Sequence, residues 1–217
     1  MPAGFKKIPL ICKKLSMQFY PSQIGQRATY KLLSGAVIPR PIGWISSISP
    51  QGIPNLAPFS FFNAVGDDPP HVVFSTVRTG NVNKDTLNNV LATGEFVVNM
   101  VTEELVEKAN QTSATVPPEV DEFKLAGLTA APSIVVKPPR VKESPIQMEC
   151  KLVHHYALEG SQNGGAVLMV GRVELFHIDP SVLLDDYKIN VKTYRPVARL
   201  AGSDYAKIGE IFSVKRL

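Results

Sequence analysis

The chain has 217 residues, 44% of them hydrophobic, with 23 Lys and Arg against 19 Asp and Glu. That length and apolar content suit one buried core, and no apolar run approaches the roughly 18 residues of a membrane span. Two cysteines, Cys12 and Cys150, make neither a CxxC pair nor a disulfide framework, so a reducing, cytoplasmic setting is expected, with one thiol exposed and one buried in a strand.

The net charge of +4 is unevenly spread. No acid precedes Asp67, whereas Lys6, Lys7, Lys13, Lys14, Arg27, Lys31 and Arg40 do. A basic front suits nucleic acid, an anionic membrane or a phosphorylated ligand. Nucleic acid fits worst, because the basic residues are scattered without aromatic interleaving or a binding module. Residues 1–30 read as an N-terminal arm, where Pro9 interrupts any helix. Residues 31–217 read as a single domain.

Along the chain, Ile42, Trp44, Ser46 and Ile48 alternate with Gly43, Ile45 and Ser47, the period of a strand. Ser49-Pro50-Gln51-Gly52 places Pro and Gly at favoured turn positions, so residues 55–62 return as its hairpin partner. Pro54 and Pro58 cannot donate to a ladder, which makes the return strand irregular, bulged or an edge. Residues 72–77 and 96–101 form short apolar strands. Between them, residues 84–93 set Leu87, Val90 and Leu91 on one helical face, with Asn83 or Asp85 as cap and Gly94 as terminator.

Thr102 caps a second helix over residues 103–111, and residues 121–126 form one more helical turn stopped by Gly127. Ile146, Met148, Cys150, Leu152, Tyr156 and Leu158 then face one way around His154, against Gln147, Glu149, Lys151 and His155. A glycine-rich turn at residues 161–165 leads into residues 166–178 and completes a long hairpin. Strands joined by hairpins, with helices only as connectors, predict a mainly β, closed or partly closed antiparallel barrel.

Several signatures of chemistry are missing: no GxGxxG after a strand, no Walker loop and no GxSxG elbow occur. His71, His154, His155 and His177 lack ligand spacing, and strand neighbours such as His154 and His155 point to opposite faces, so no metal is expected. Two features remain. Ser46 and Ser47, opposite Asn55, Leu56, Ala57, Pro58, Phe59 and Ser60, offer polar groups beside aromatic surface, as a planar heteroaromatic ring requires; the same pattern also suits an edge hairpin whose prolines discourage aggregation. Lys84-Asp85-Thr86 opens a helix after Arg78, as a phosphate requires; equally, Asp85 caps the helix while Lys84 is solvated.

Taken in order, these features gain specificity. Pro39-Arg40-Pro41-Ile42-Gly43-Trp44-Ile45-Ser46-Ser47 is followed by Asn55-Leu56-Ala57-Pro58-Phe59-Ser60-Phe61-Phe62-Asn63-Ala64. Asp68-Pro69-Pro70, Lys84-Asp85-Thr86-Leu87 and Gly94-Glu95-Phe96-Val97-Val98-Asn99 come next. The whole series resembles the flavin reductase-like family of FMN-binding split barrels. Val120-Asp121-Glu122-Phe123 and Glu143-Ser144-Pro145 fit it too, and the likeness runs from Lys31 to Tyr205.

The resemblance implies a six-stranded antiparallel split β-barrel of Greek-key type that binds FMN. It implies an oxidoreductase passing hydride from NAD(P)H to the flavin; an electron carrier or flavin store would need the same site. It also implies a homodimer; a split barrel leaves apolar surface and strand edges, so Phe59, Phe61, Phe62 and the strand over residues 146–158 are candidates for the interface or, alternatively, for the core. Ser46, Ser47, Asn55, Leu56, Ala57, Pro58, Phe59 and Ser60 would meet the isoalloxazine ring and ribityl chain. Thr76, Arg78, Lys84, Asp85 and Thr86 would form the phosphate end. Two positions depart from the family pattern. Asn83 stands where a basic or small residue is usual, which shifts weight to Arg78. Arg199-Leu200-Ala201-Gly202 with Tyr205 replaces an R-L-G-G run followed by a tyrosine.

Overall fold

A computed structural model describes residues 16–77, 82–160 and 165–215. Its first element is α1 (Pro21–Ala36), opened by proline and bent at Gly25, whose φ of 75° leaves the helical path. The sequence pattern does not signal this helix, because Tyr30, Leu32 and Leu33 are all exposed and it buries only Ser34. It runs through residue 30, where the arm was expected to give way to the domain.

Four strands follow: β1 (Gly43–Ile48), β2 (Pro54–Phe59), β3 (Phe62–Asp67) and β4 (Pro70–Val77). Then come α2 (Asp85–Thr93), β5 (Glu95–Met100), α3 (Val106–Gln111), α4 (Glu122–Leu125) and the short pair β6 (Ala130–Ala131) and β7 (Arg140–Val141). The long hairpin β8 (Ile146–Leu158) and β9 (Ala166–Ile178) precedes α5 (Val191–Tyr194) and a second short pair, β10 (Val197–Arg199) and β11 (Tyr205–Lys207). Among the described residues, no helix is long and apolar enough to cross a membrane.

Seven strands make one antiparallel sheet in the order β2-β1-β5-β8-β9-β4-β3. Its two edges, β2 and β3, are consecutive in the chain and separated only by Ser60 and Phe61. One bent strand thus pairs with β1 through its first half and with β4 through its second. The bend closes the sheet on itself, and counting that strand once gives the six strands of a split barrel. Pro54 and Pro58 sit in β2, one of the two edges, where a missing ladder donor costs least.

Inside the barrel, Ile45, Phe59, Phe74, Phe96, Val98 and Met169 form the core, and Leu87 and Val90 of α2 pack into it. The outer face of β1 and β2 carries a second cluster, in which Trp44 and Leu56 meet Leu105 and Ala109 near α3 and Phe123 of α4. Cys150 is fully buried in the first cluster, and burial pushes its thiol pKa far up, so it behaves as a small apolar residue. Cys12 lies outside the described residues.

Some local expectations are corrected. Lys84, rather than Asn83 or Asp85, is the N-cap residue of α2, and it supplies no side-chain cap. The second helix begins at Val106 instead of residue 103, because Thr102 is bridged to Pro196, the Glu103 N–H donates to the Arg195 carbonyl, and residues 103–105 form a turn. Gln147 and Glu149, expected on an outer face, are buried. The β6–β7 region lies over that face, and its Ile134, Val135 and Val136 amides all donate to Glu149.

Candidate functional site

The β1–β2 register sets Ser47 opposite Asn55 and Ser46 opposite Leu56. Alternation then divides these pairs between two faces. On the barrel side, Ser47 Oγ donates to Asn55 Oδ1 at 3.2 Å and accepts from Asn89 Nδ2 at 3.3 Å. On the outer side, Ser46 Oγ donates to the Pro139 carbonyl and accepts from Asn99 Nδ2 at 3.3 Å. Both serines are wholly buried.

Asn55 is the hub of the site. Its carbonyl oxygen accepts from Thr86 Oγ1 at 2.8 Å, and its amide nitrogen donates to Glu122 Oε1 at 2.9 Å. Glu122 Oε2 also accepts from the Leu56 backbone N–H at 3.0 Å. Burial pushes the Glu122 carboxyl above its ordinary value; the Leu56 N–H, its own backbone N–H and the Asn55 amide oppose that, while the charge of Asp85 reinforces it. This chain of bonds fixes β2, α4 and the first turn of α2 against one another.

These elements border a cavity of about 280 Å³. One wall is Asn55, Ala57 and Pro58 of β2; another is Lys84, Asp85 and Thr86 at the start of α2. A third is the segment from Thr112 to Val116, held in place where Trp44 Nε1 donates to Thr112 Oγ1 at 2.8 Å. The backbone N–H groups of Asp85 and Thr86 find no hydrogen-bond acceptor among the described residues, whereas those of Leu87 and Asn88 bond to the Lys84 carbonyl. Two amides and the exposed Lys84 therefore point to the use of a helix N-terminus for an anion.

Of the residues expected from sequence, Asn55, Ala57, Pro58, Lys84, Asp85 and Thr86 come together around the cavity. The Thr86 hydroxyl, expected to face a phosphate, is spent on Asn55, which leaves its backbone amide for that role. Ser47 stands behind Asn55, and Ser46 and Leu56 are turned to the outer cluster. Phe59 packs in the barrel core, and Ser60 lines a neighbouring cleft. Thr76 is buried and its hydroxyl has no partner among the described residues. Arg78 lies outside the described residues.

Sequence reasoning missed Val82, the Thr112 to Val116 wall, Pro118 and Glu122. The Val120-Asp121-Glu122-Phe123 run carried the signal for Glu122. Nothing in the local pattern marks the Thr112 wall, because its place depends on a bond to Trp44, 68 residues away. Among the described residues, no His, Cys, Asp and Glu group is arranged to hold a metal.

The sequence pattern of the flavin reductase like domain matches residues 34–194. The chain belongs to this family. An uncharacterized protein of Aquifex aeolicus (strain VF5) is 44% identical over 192 residues, which is 88% of this chain and 95% of that one. Nitrilotriacetate monooxygenase component B from Bacillus cereus superposes with a TM-score of 0.89 at 37% identity, covering 93% of this chain and all of the other. A split barrel domain protein from Shewanella frigidimarina NCIMB 400 shares the fold at a TM-score of 0.79 and 23% identity, covering 93% and 100%. Within this family fold, the residues around the cavity have the chemistry a flavin needs: unpaired amides and Lys84 offer an anion site, while Ala57, Pro58 and Val116 offer apolar surface.

Proposed function

We propose that the protein is an FMN-dependent oxidoreductase that takes hydride from NAD(P)H, working as a cytoplasmic homodimer. The uncapped start of α2, with Lys84 at the cavity rim, carries this reading. Bound FMN would supply acceptance of the hydride and its onward transfer. Lys84 and the Asp85 and Thr86 amides would hold the phosphate, with Thr76 and Arg78 assigned to the same end. Ala57 and Pro58 would lie against the ring, and Asn55, oriented by Thr86, Ser47 and Glu122, would aim its polar edge at the site. The match to a monooxygenase component B supports a flavin-related oxidoreductase role.

The test is anaerobic mixing of FMN-loaded protein with NADH or NADPH while the flavin absorbance is followed. Rapid bleaching by either nucleotide is the expected result. A flavin that dithionite reduces and neither nucleotide does would leave a carrier or store in place of a reductase.

A further inference from the structure

Pro58 and Ser113, which line the cavity, also line a neighbouring cleft of about 190 Å³. Arg199 lies there with its guanidinium over the Tyr205 ring, 4.5 Å from the centroid. One of its nitrogens donates to the Gly202 carbonyl, and the Tyr205 hydroxyl approaches Asn110 Oδ1 at 3.4 Å. No carboxylate pairs with Arg199 among the described residues, and no acidic side chain lines the cleft. The fork is thus held flat and keeps donors to spare, the state in which arginine recognises phosphate.

A second arginine pairs with Arg199 through its backbone. Arg40 is 5% exposed, and its hydrogen bonds run to the carbonyls of Ser34, Val37 and Leu200, all neutral. Its Nε donates to Ser60 Oγ at 3.5 Å, which leaves the hydroxyl proton of Ser60, a residue lining the cleft, free for another acceptor. The Arg40 and Arg199 backbones exchange hydrogen bonds of 3.1 and 2.9 Å, which fixes the two residues opposite one another. A buried cation without a counter-charge is costly, and an anion seated in this cleft would offset that cost.

We infer that the cleft of Arg199, Ser60 and Tyr205 binds the pyrophosphate of the pyridine dinucleotide substrate, with the exposed ring of Tyr30 at its edge for the adenosine. The inference rests on the proposed reductase function, which places the nicotinamide in the adjoining cavity. FMN carries one phosphate, and the start of α2 is already suited to it. The second cationic cleft is therefore left for a second phosphorylated ligand, and the wall of Pro58 and Ser113 that it shares with the first suits a molecule that reaches both.

The test is calorimetric titration of the FMN-loaded protein with ADP, which carries the pyrophosphate and adenosine but no hydride. ADP binding should weaken at least tenfold in Arg199→Gln and less in Arg199→Lys, which keeps the charge but loses the flat stack, while FMN affinity shifts less than twofold in both. Affinity for ADP should also fall with added salt. Wild type that does not bind ADP, or Arg199→Gln that binds it unchanged, overturns the inference; so does a variant in which FMN weakens as much as ADP, since the cleft would then belong to the flavin. ADP binding through Arg199 without bleaching by NADH or NADPH would sink the reductase reading and leave the anion cleft standing.

Discussion

Thr86 Oγ1 donates to Asn55 Oδ1 at 2.8 Å, and through this bond the first turn of α2 is tied to the edge strand β2. Asn55 Oδ1 also accepts from Ser47, and Asn55 Nδ2 donates to Glu122, so the side chain that faces the cavity cannot turn over. Thr86→Val keeps the shape and deletes the donor. It should lower stability by about 0.5–1.5 kcal/mol, the net worth of one such bond, and weaken FMN binding as the helix start loses its hold. Urea unfolding and a fluorescence titration read the two effects. No change in either would show that the bond neither supports nor positions the site.

Much of this site was legible before the structure. Asn55 and the Lys84-Asp85-Thr86 run stand out because turn chemistry and helix-start chemistry leave local marks. The bent strand β2–β3 was half legible: Pro54 and Pro58 marked an edge, but a second edge formed by Phe62–Asp67 follows from barrel closure, a property of the whole sheet. The partners of Ser46 and Ser47 were hidden for a related reason. Their hydroxyls read as polar groups for a flat ring, and it is Pro139, Asn99 and Asn89, distant in sequence, that consume them. Helix α1 was missed because Arg40 holds its end through the Ser34 and Val37 carbonyls, a contact that apolar periodicity does not register.

Glu149 gives the fold an acid-sensitive clamp. Burial opposes its charge, yet the N–H groups of Ile134 and Val135, then His177 and the Val136 N–H, hold its carboxyl below the ordinary value of 4.5. A folded value below the unfolded one means that the contribution is present above about 4.5 and is lost as pH falls through the folded value. Urea midpoints measured from pH 6 down to pH 3 should therefore fall in wild type. Glu149→Gln should be less stable at pH 6, by about 1–3 kcal/mol for the amides left unmatched, and should show a shallower fall. An equally steep fall in the variant would assign the acid response to other groups.

Gly171 is required by a close approach inside the barrel. A Cβ there would collide with Phe96 Cζ and Cε1, and the Phe96 ring is set edge-on to Phe74 with centroids 5.2 Å apart. Neither ring has room to withdraw, since both are wholly buried. Gly171→Ala should cost about 1–3 kcal/mol, the range for overpacking a core. A thermal midpoint within a degree of wild type would show that the β8–β9 hairpin yields to the extra methyl.

A second copy of the chain is the expected cover for the exposed half of the sheet. Phe59 and Phe62, two interface candidates from the sequence, are buried in the barrel and are not available to a partner. The far end of β8 is available, with Tyr156 and Leu158 exposed, and so is β3, whose residues from Asn63 to Asp67 are all exposed along an open edge. Sedimentation equilibrium at micromolar concentration should give a dimer, and the double change Tyr156→Glu and Leu158→Glu should shift it toward monomer. A wild-type monomer with flavin bound would end this reading.

The phosphate end of the flavin site is tested by Lys84. Its side chain caps nothing in α2 and makes no hydrogen bond or ion pair among the described residues, so its removal should leave the fold intact. A hydrogen bond to a charged group is worth about 1.5–3 kcal/mol, so Lys84→Ala should weaken FMN by roughly 10- to 150-fold. Riboflavin has the same ring and ribityl chain without the phosphate, and its affinity should hardly move. The unpaired Asp85 and Thr86 amides remain in the variant, so FMN should still bind more tightly than riboflavin, by a smaller margin. Fluorescence titration of both ligands against wild type and Lys84→Ala gives four constants and one decisive ratio. Equal losses for FMN and riboflavin would take Lys84 out of the phosphate site and make its role structural.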